Sequence, residues 1–117
     1  MRRKAEVKVK TGLDILVEED FRRIRGYTIG VVANQASTTR NLTHLVEEAK
    51  KKRRCNVEVV FSPEHGFLGE KPSGEKVAGE YYDLDYNVRV FSLYGESFKP
   101  PIELLEKLDA LIFDLQD

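Results

Sequence analysis

Four short apolar runs rich in β-branched residues are spaced along the chain, and what lies between them limits the possible folds. The runs are "YTIGVVA" (27–33), "NVEVVFS" (56–62), "VRVFSL" (88–93) and "DALIFDLQD" (109–117). Each is the length of a buried strand. Ahead of the first, Leu13, Val17, Phe21 and Ile24 recur at helical spacing and predict an amphipathic helix over roughly residues 13–25, ended by Gly26. Between the first two, Leu42, Leu45, Val46 and Ala49 share a helical face. Thr38, Thr39 or Asn41 is available to cap this helix, and Lys50–Arg54 lies where the helix dipole favours cations. "PPIELLEKL" opens a further helix with proline at its first turn. Strands alternating with helices predict an α/β fold, a largely parallel sheet covered by helices on both faces.

Parallel strands carry their carboxyl ends to one edge of the sheet, where open α/β sheets bind ligands. Each predicted strand runs there into polar side chains: Asn34-Gln35, Pro63-Glu64-His65-Gly66, Tyr94-Gly95-Glu96 and Gln116-Asp117. The connection from about 62 to 87 is unusually long, since links in compact domains commonly take about 2–6 residues. It mixes Glu64, Glu70, Glu75, Glu80, Asp83 and Asp85 with Tyr81, Tyr82 and Tyr86. Carboxylates beside aromatic faces suit a sugar, and they equally suit a solvated acidic loop.

The chain has 117 residues, enough for one domain at most and short for a complete α/β enzyme. Nineteen basic and 20 acidic residues give a net charge of -1, which calls for neither nucleic acid nor an anionic membrane. The single cysteine, Cys55, excludes an internal disulfide framework and a cysteine-based zinc site. No apolar run is long enough to span a bilayer. The basic N-terminus has no apolar stretch behind it, so the expectation is a cytoplasmic chain as it stands, exported if a leader was removed.

Glu64 and His65 read as an acid/base pair presented at a strand end. The proline after Ser62 holds that residue extended, and Gly66 permits a sharp turn behind the pair. The plainer reading is a polar loop with a capping glutamate, and the two are closely matched on residues alone. A zinc site fails for want of ligands, because the only histidines are His44 and His65. His44 reads as a half-buried surface residue in the second helix. A magnesium site built from Glu64, Asp114 and Asp117 is opposed by strand alternation, which puts Asp114 and Gln116 on one side and Asp117 on the other. Asn34-Gln35 either orients a ligand or satisfies the backbone of a tight turn. Gly30 lies inside a strand and "ANQAST" lacks the ending of a phosphate loop, so no nucleotide motif exists. Lys50–Arg54 has no interleaved aromatics and reads as a solvated helix end.

Seven stretches, in this order, resemble a known family: "TGLDILVEEDF", "IGVVANQAS", "RNLTHLV", "VVFSPEHGFLGE", "GEKVAGEYYD", "VFSLYGE" and "KPPIELLEKLDALIFDLQD". They are similar to the N-terminal part of the bacterial exo-β-N-acetylmuramidases, long known as a domain of unknown function. The resemblance runs from about Thr11 to Asp117. It implies a Rossmann-like N-terminal domain, a smaller C-terminal domain and an active site in the cleft between them. The implied activity is release of N-acetylmuramic acid from the non-reducing ends of peptidoglycan fragments. The family's "PEHG" glutamate falls on Glu64, the expected general acid, with His65 beside it. Its "NQ" falls on Asn34 and Gln35 and its "QD" on Gln116 and Asp117; these and Tyr94 are the expected substrate-orienting residues. No cofactor and no metal are implied.

Two departures qualify the resemblance. Ala33 and Ala36 flank "NQ" where the family often has threonines. Family members also continue past "QD", so residues 1–117 are expected to form a partial N-terminal α/β domain, with self-association through an unfinished sheet. A muramic-acid saccharide is the expected partner, without nucleic acid or membrane. A sugar-binding module without turnover and a metal-assisted hydrolase are the rival readings.

Overall fold

The computed structural model describes residues 9–34, 36–63, 80–93 and 99–115. Its five strands are β1 (Thr28–Ala33), β2 (Asn56–Ser62), β3 (Glu80–Asp83), β4 (Val88–Ser92) and β5 (Ala110–Asp114). The helices are α1 (Gly12–Glu18), α2 (Leu45–Lys52) and α3 (Ile102–Leu105). The strands form one sheet in the order β3-β4-β2-β1-β5. β1 pairs in parallel with β2 and with β5, and β2 in parallel with β4; β3 alone is antiparallel, against β4. The expected α/β architecture with a mostly parallel sheet is present.

The strand sequences explain the layering. β1 is central and buried on both faces from Ile29 to Ala33, as its unbroken apolar run requires. Ile29, Val31, Val57, Val60, Val88 and Val90 face a core shared with Leu13 of α1 and Leu45, Val46 and Ala49 of α2. Val32, Val59 and Phe61 face the other way, against Leu104 of α3 with Leu105 and Leu108. The chain therefore leaves β1 through α2 on one face, builds outward to β2 and β4, and returns through α3 on the opposite face. It then lays β5 on the far side of β1. That reversal makes the crevice between the carboxyl ends of β1 and β5 the topological switch point of the sheet.

Gly30 is required by close approach. A Cβ there would lie 2.6 Å from Leu108 Cδ1 and 3.1 Å from Phe61 Cε2, so any larger residue would have to displace the Leu108 side chain that packs over β1. Next to Leu108, Asp109 clamps the start of β5 to β1. Its Oδ2 accepts from Thr28 N–H at 2.8 Å, and its own N–H donates to Thr28 O at 2.7 Å. Leu111 and Phe113, on the outermost strand β5, are exposed on the α3 side.

The structure departs from the sequence expectations at the helices and in the long connection. α1 stops at Glu18, because Asp20 and Phe21 adopt left-handed backbone (φ 55° and 56°) and a 3₁₀ turn (Arg22–Ile24) follows. Phe21 and Ile24 are buried as their spacing suggested, but the chain reaches those positions through a turn. Gly26, at φ 81°, follows the 3₁₀ turn instead of ending α1 as expected. α1 is fixed by a capping box between Thr11 and Asp14. Neither Thr38, Thr39 nor Asn41 caps α2; His44 does, and Leu42 is exposed with φ 62°. Pro101 is the N-cap of α3 rather than its first helical residue. β3, within the connection read as irregular, is an additional edge strand.

Candidate functional site

The switch point is built from the last residues of the strands. Asn34 follows β1 and organises a tight turn: its Oδ1 accepts from Ala36 N–H at 3.0 Å, and its carbonyl accepts from Ser37 N–H at 3.2 Å. Ser37 is fully buried and ties the turn to both strands. Its Oγ accepts from Asn34 N–H at 3.1 Å and donates to the carbonyl of Asp114 at the end of β5. The backbone of the turn is anchored in turn by Leu45 N–H donating to Ser37 O at 2.8 Å.

His44 completes this arrangement from the helix side. It is 5% exposed, not the half-buried surface residue expected from its position in the sequence. Its Nδ1 accepts from Val46 N–H at 3.1 Å, and its Nε2 lies 2.8 Å from Asn34 O. A carbonyl can only accept and an amide N–H can only donate, so these partners assign a neutral ring protonated at Nε2. Burial pushes the imidazole below its ordinary pKa, opposed by the Asn34 bond, Asp114 and Glu47. Tyr86 covers the ring, with centroids 5.7 Å apart.

Asp114 pairs with Ala33 across the β1–β5 ladder, on the same side of the sheet as His44. Burial raises its carboxyl above the ordinary value, with Asp14 adding to the rise and His44 and Ser37 opposing it. Its Oδ2 is buried without a hydrogen-bond partner among the described residues, and so is Oγ of Ser62 at the end of β2. Ser62 pairs with Ser92 at the end of β4. Three parallel strands thus finish in a polar residue on the α2 face. Asp14 reaches the same region from α1, where the Thr11 N–H bond, foremost, holds its carboxyl below the usual range against the effect of burial; Arg40 N–H donates to Asp14 Oδ1 at 3.0 Å.

Of the residues singled out from sequence, Asn34 lies in this crevice. Gln35, Glu64, His65, Tyr94, Gln116 and Asp117 lie outside the described residues, as does the acidic stretch from Glu70 to Glu75. Sequence reading passed over Ser37, and it took His44 for a surface residue. Asp114 enters the sequence analysis only as a candidate magnesium ligand, a site that the alternation in "LIFDLQD" opposes. Among the described residues no group of three or more His, Cys, Asp and Glu side chains could hold a metal ion, and no helix is long and apolar enough to cross a membrane.

A mostly parallel sheet wound in both directions from β1, with polar residues at the switch point, defines the class: an α/β fold of the Rossmann-like kind. The comparisons with known proteins give the family. Residues 29–117, from β1 onward, match the family model described as exo-beta-N-acetylmuramidase NamZ, N-terminal. The chain belongs to this family. It is 36% identical over 110 residues to the peptidoglycan beta-N-acetylmuramidase NamZ of Bacillus subtilis (strain 168), covering 94% of this chain and 26% of that protein. Two crystal structures of DUF1343 family proteins from Bacteroides fragilis NCTC 9343 share the fold. One has a TM-score of 0.81 at 27% identity over 97% of this chain, the other 0.71 at 28% identity over 95%. The chain spans 27% and 26% of those two structures, about a quarter of the length of each relative.

Proposed function

We propose that this chain is part of a glycoside hydrolase that releases N-acetylmuramic acid from the non-reducing ends of peptidoglycan fragments, in the turnover of cell-wall material. The family match across residues 29–117 carries this reading, because that span includes "PEHG" and the four polar strand-end pairs. Glu64 is the general acid. Its carboxyl delivers a proton to the glycosidic oxygen as the C1–O bond breaks; water then supplies the hydroxyl that completes C1, and the proton it releases restores the acid form of Glu64. A glutamate working this way near neutral pH needs partial desolvation to keep its proton, and His65 beside it orients the carboxyl. Asn34, Gln35, Tyr94, Gln116 and Asp117 orient the sugar. Their place in the sequence supports this role: each falls at or just after the carboxyl end of a parallel strand, Asn34 and Gln35 after β1, Tyr94 after β4, Gln116 and Asp117 after β5.

The test is hydrolysis of N-acetylmuramyl-β-1,4-N-acetylglucosamine, whose sugar alkoxide needs a proton in order to leave, by the intact protein and its Glu64→Gln variant. Wild-type turnover that falls by about 10²–10⁴-fold or more in the isostere is the expected result, in line with the contribution of general acid catalysis. Turnover that survives the change removes Glu64 as the acid. Sugar binding without hydrolysis by either protein would favour a binding module.

A further inference from the structure

We infer that His44 is a positioning residue for the turn that begins at Asn34, acting through its bond to the Asn34 carbonyl. The inference rests on the proposed glycosidase reading in one respect only, that this turn faces the sugar.

The argument starts from how the connection between β1 and α2 is held. Thr39 N–H donates to Thr43 O at 2.9 Å, Thr38 and His44 form an isolated antiparallel bridge, and Leu45 N–H donates to Ser37 O. These bonds close the connection on itself and fix Ser37. Of the described bonds to the Asn34 carbonyl, Ser37 N–H comes from within the turn, whereas His44 Nε2 reaches it from the head of a helix. That helix is packed through Leu45, Val46 and Ala49 into the main core. Two bonds on one ring therefore couple the rigid start of α2 to the backbone residue immediately before Gln35.

A histidine is an unusual choice for an N-cap, where Asn, Asp, Ser and Thr satisfy the same backbone N–H. The second nitrogen accounts for it. A short capping side chain reaches Val46 N–H but cannot also span to Asn34 O. The ring does both only while neutral, and the groups around it are arranged on every side: the Asn34 carbonyl from β1, Glu47 from α2, Asp114 from β5 and the Tyr86 ring from the β3–β4 turn. Burial opposes the cation, which would lose the Val46 bond because a doubly protonated ring has no acceptor.

The two bonds can be separated by substitution. In His44→Asn, Oδ1 lies near the place of Nδ1 and keeps the cap but loses the reach to Asn34. In His44→Gln, the longer amide keeps a donor near the place of Nε2 but caps poorly. The Asn34 carbonyl retains Ser37 N–H in both, so neither change leaves it unsatisfied.

The experiment measures kcat/KM on para-nitrophenyl β-N-acetylmuraminide, melting temperature, and amide hydrogen exchange at Ala36 and Ser37, using the intact protein and both variants. The expected pattern is crossed. His44→Asn melts close to wild type but loses about 10-fold or more in kcat/KM, as slight misplacement of a positioning group does. His44→Gln melts a few degrees lower, the effect of a lost cap, yet keeps most of the activity. Ala36 and Ser37 exchange faster in His44→Asn than in His44→Gln. Activity that follows melting temperature through both variants, or unchanged activity and exchange in His44→Asn, would overturn the inference. Should the wild type hydrolyse nothing, the glycosidase reading fails on its own, and the exchange rates still decide whether His44 holds the turn.

Discussion

The two ends of the parallel strands treat their polar groups in opposite ways. At the amino ends, charged side chains are exposed and paired. Asp109 clamps Thr28, Arg54 Nε donates to Asp20 at 2.8 Å, and Arg23 Nε donates to Glu19 at 2.9 Å. At the carboxyl ends, polar groups are buried, and two of them, Ser62 Oγ and Asp114 Oδ2, have no partner among the described residues. Buried polar atoms in native proteins are rarely left unmatched, so such atoms call for an explanation. The amino edge is organised for stability. The carboxyl edge keeps polar atoms that no described residue partners, and it is the edge at which open α/β sheets take ligands.

The largest effect should come from the bonded member of the carboxyl edge. Ser37→Ala removes the Oγ acceptor of the part-buried Asn34 N–H and a donor from Asp114 O, at a cost of about 1–3 kcal/mol read from urea denaturation. A wild-type midpoint in this variant would mean that the turn is not anchored through Ser37. Asp109→Ala, at the exposed amino edge, should cost about 1 kcal/mol, because water can replace the lost acceptor for Thr28 N–H. Ser62→Ala is the sharpest contrast. Deleting an unpartnered buried hydroxyl should leave stability unchanged or raise it, and a loss above about 1 kcal/mol would show that Ser62 has a partner in the folded protein.

Titration distinguishes the same groups. The Asp114 carboxyl is raised in the folded state, so the folded protein holds this proton more tightly than the unfolded chain. Its ionisation therefore lowers stability as pH rises from near the ordinary value of 3.8 through the raised folded value. His44 is lowered, so the unfolded chain binds its proton more tightly, and stability is lost as pH falls from near 6.5 through the folded value. In Asp114→Asn the first dependence should vanish, with a gain in stability near neutral pH that disappears in acid. No gain near neutral pH would mean that the carboxylate is compensated.

Much of the fold was legible because it rests on local pattern. β-branched apolar runs identified β1, β2 and β4 nearly to the residue, and β5 with its end overrun, since both faces of the central strands, or the inner face of the outer ones, must be filled. β3 was missed because "EYYD" is a half-exposed edge strand whose pairing with Val88–Phe91 is the only thing that makes it a strand. The end of α1 was missed for a related reason. Phe21 and Ile24 are at core positions, so their spacing imitates a continuing helix, while the left-handed pair Asp20-Phe21 breaks it. The site was less legible than the fold. Strand-end position placed Asn34 at the carboxyl edge of the sheet, but the links among Ser37, His44 and Asp114 join residues up to 77 positions apart. No local pattern encodes them.

The smallest effect tests whether the amino edge is as ordinary as it looks. Arg54 Nε meets Asp20 at 2.8 Å, and Arg25 approaches the same carboxylate at 3.8 Å, with side chains 37–59% exposed. Exposed pairs of this kind contribute a few tenths of a kcal/mol. Asp20, however, also holds left-handed backbone at φ 55°, where aspartate is better tolerated than most residues. Arg54→Ala removes only the ion pair, whereas Asp20→Ala removes the pair and imposes backbone strain. The expected result is a near-neutral Arg54→Ala, weakly salt-dependent, beside a larger cost for Asp20→Ala that salt does not screen. Equal costs in the two variants would place the effect in the ion pair, and the amino edge would then depend on charge rather than on the turn that Asp20 and Phe21 build.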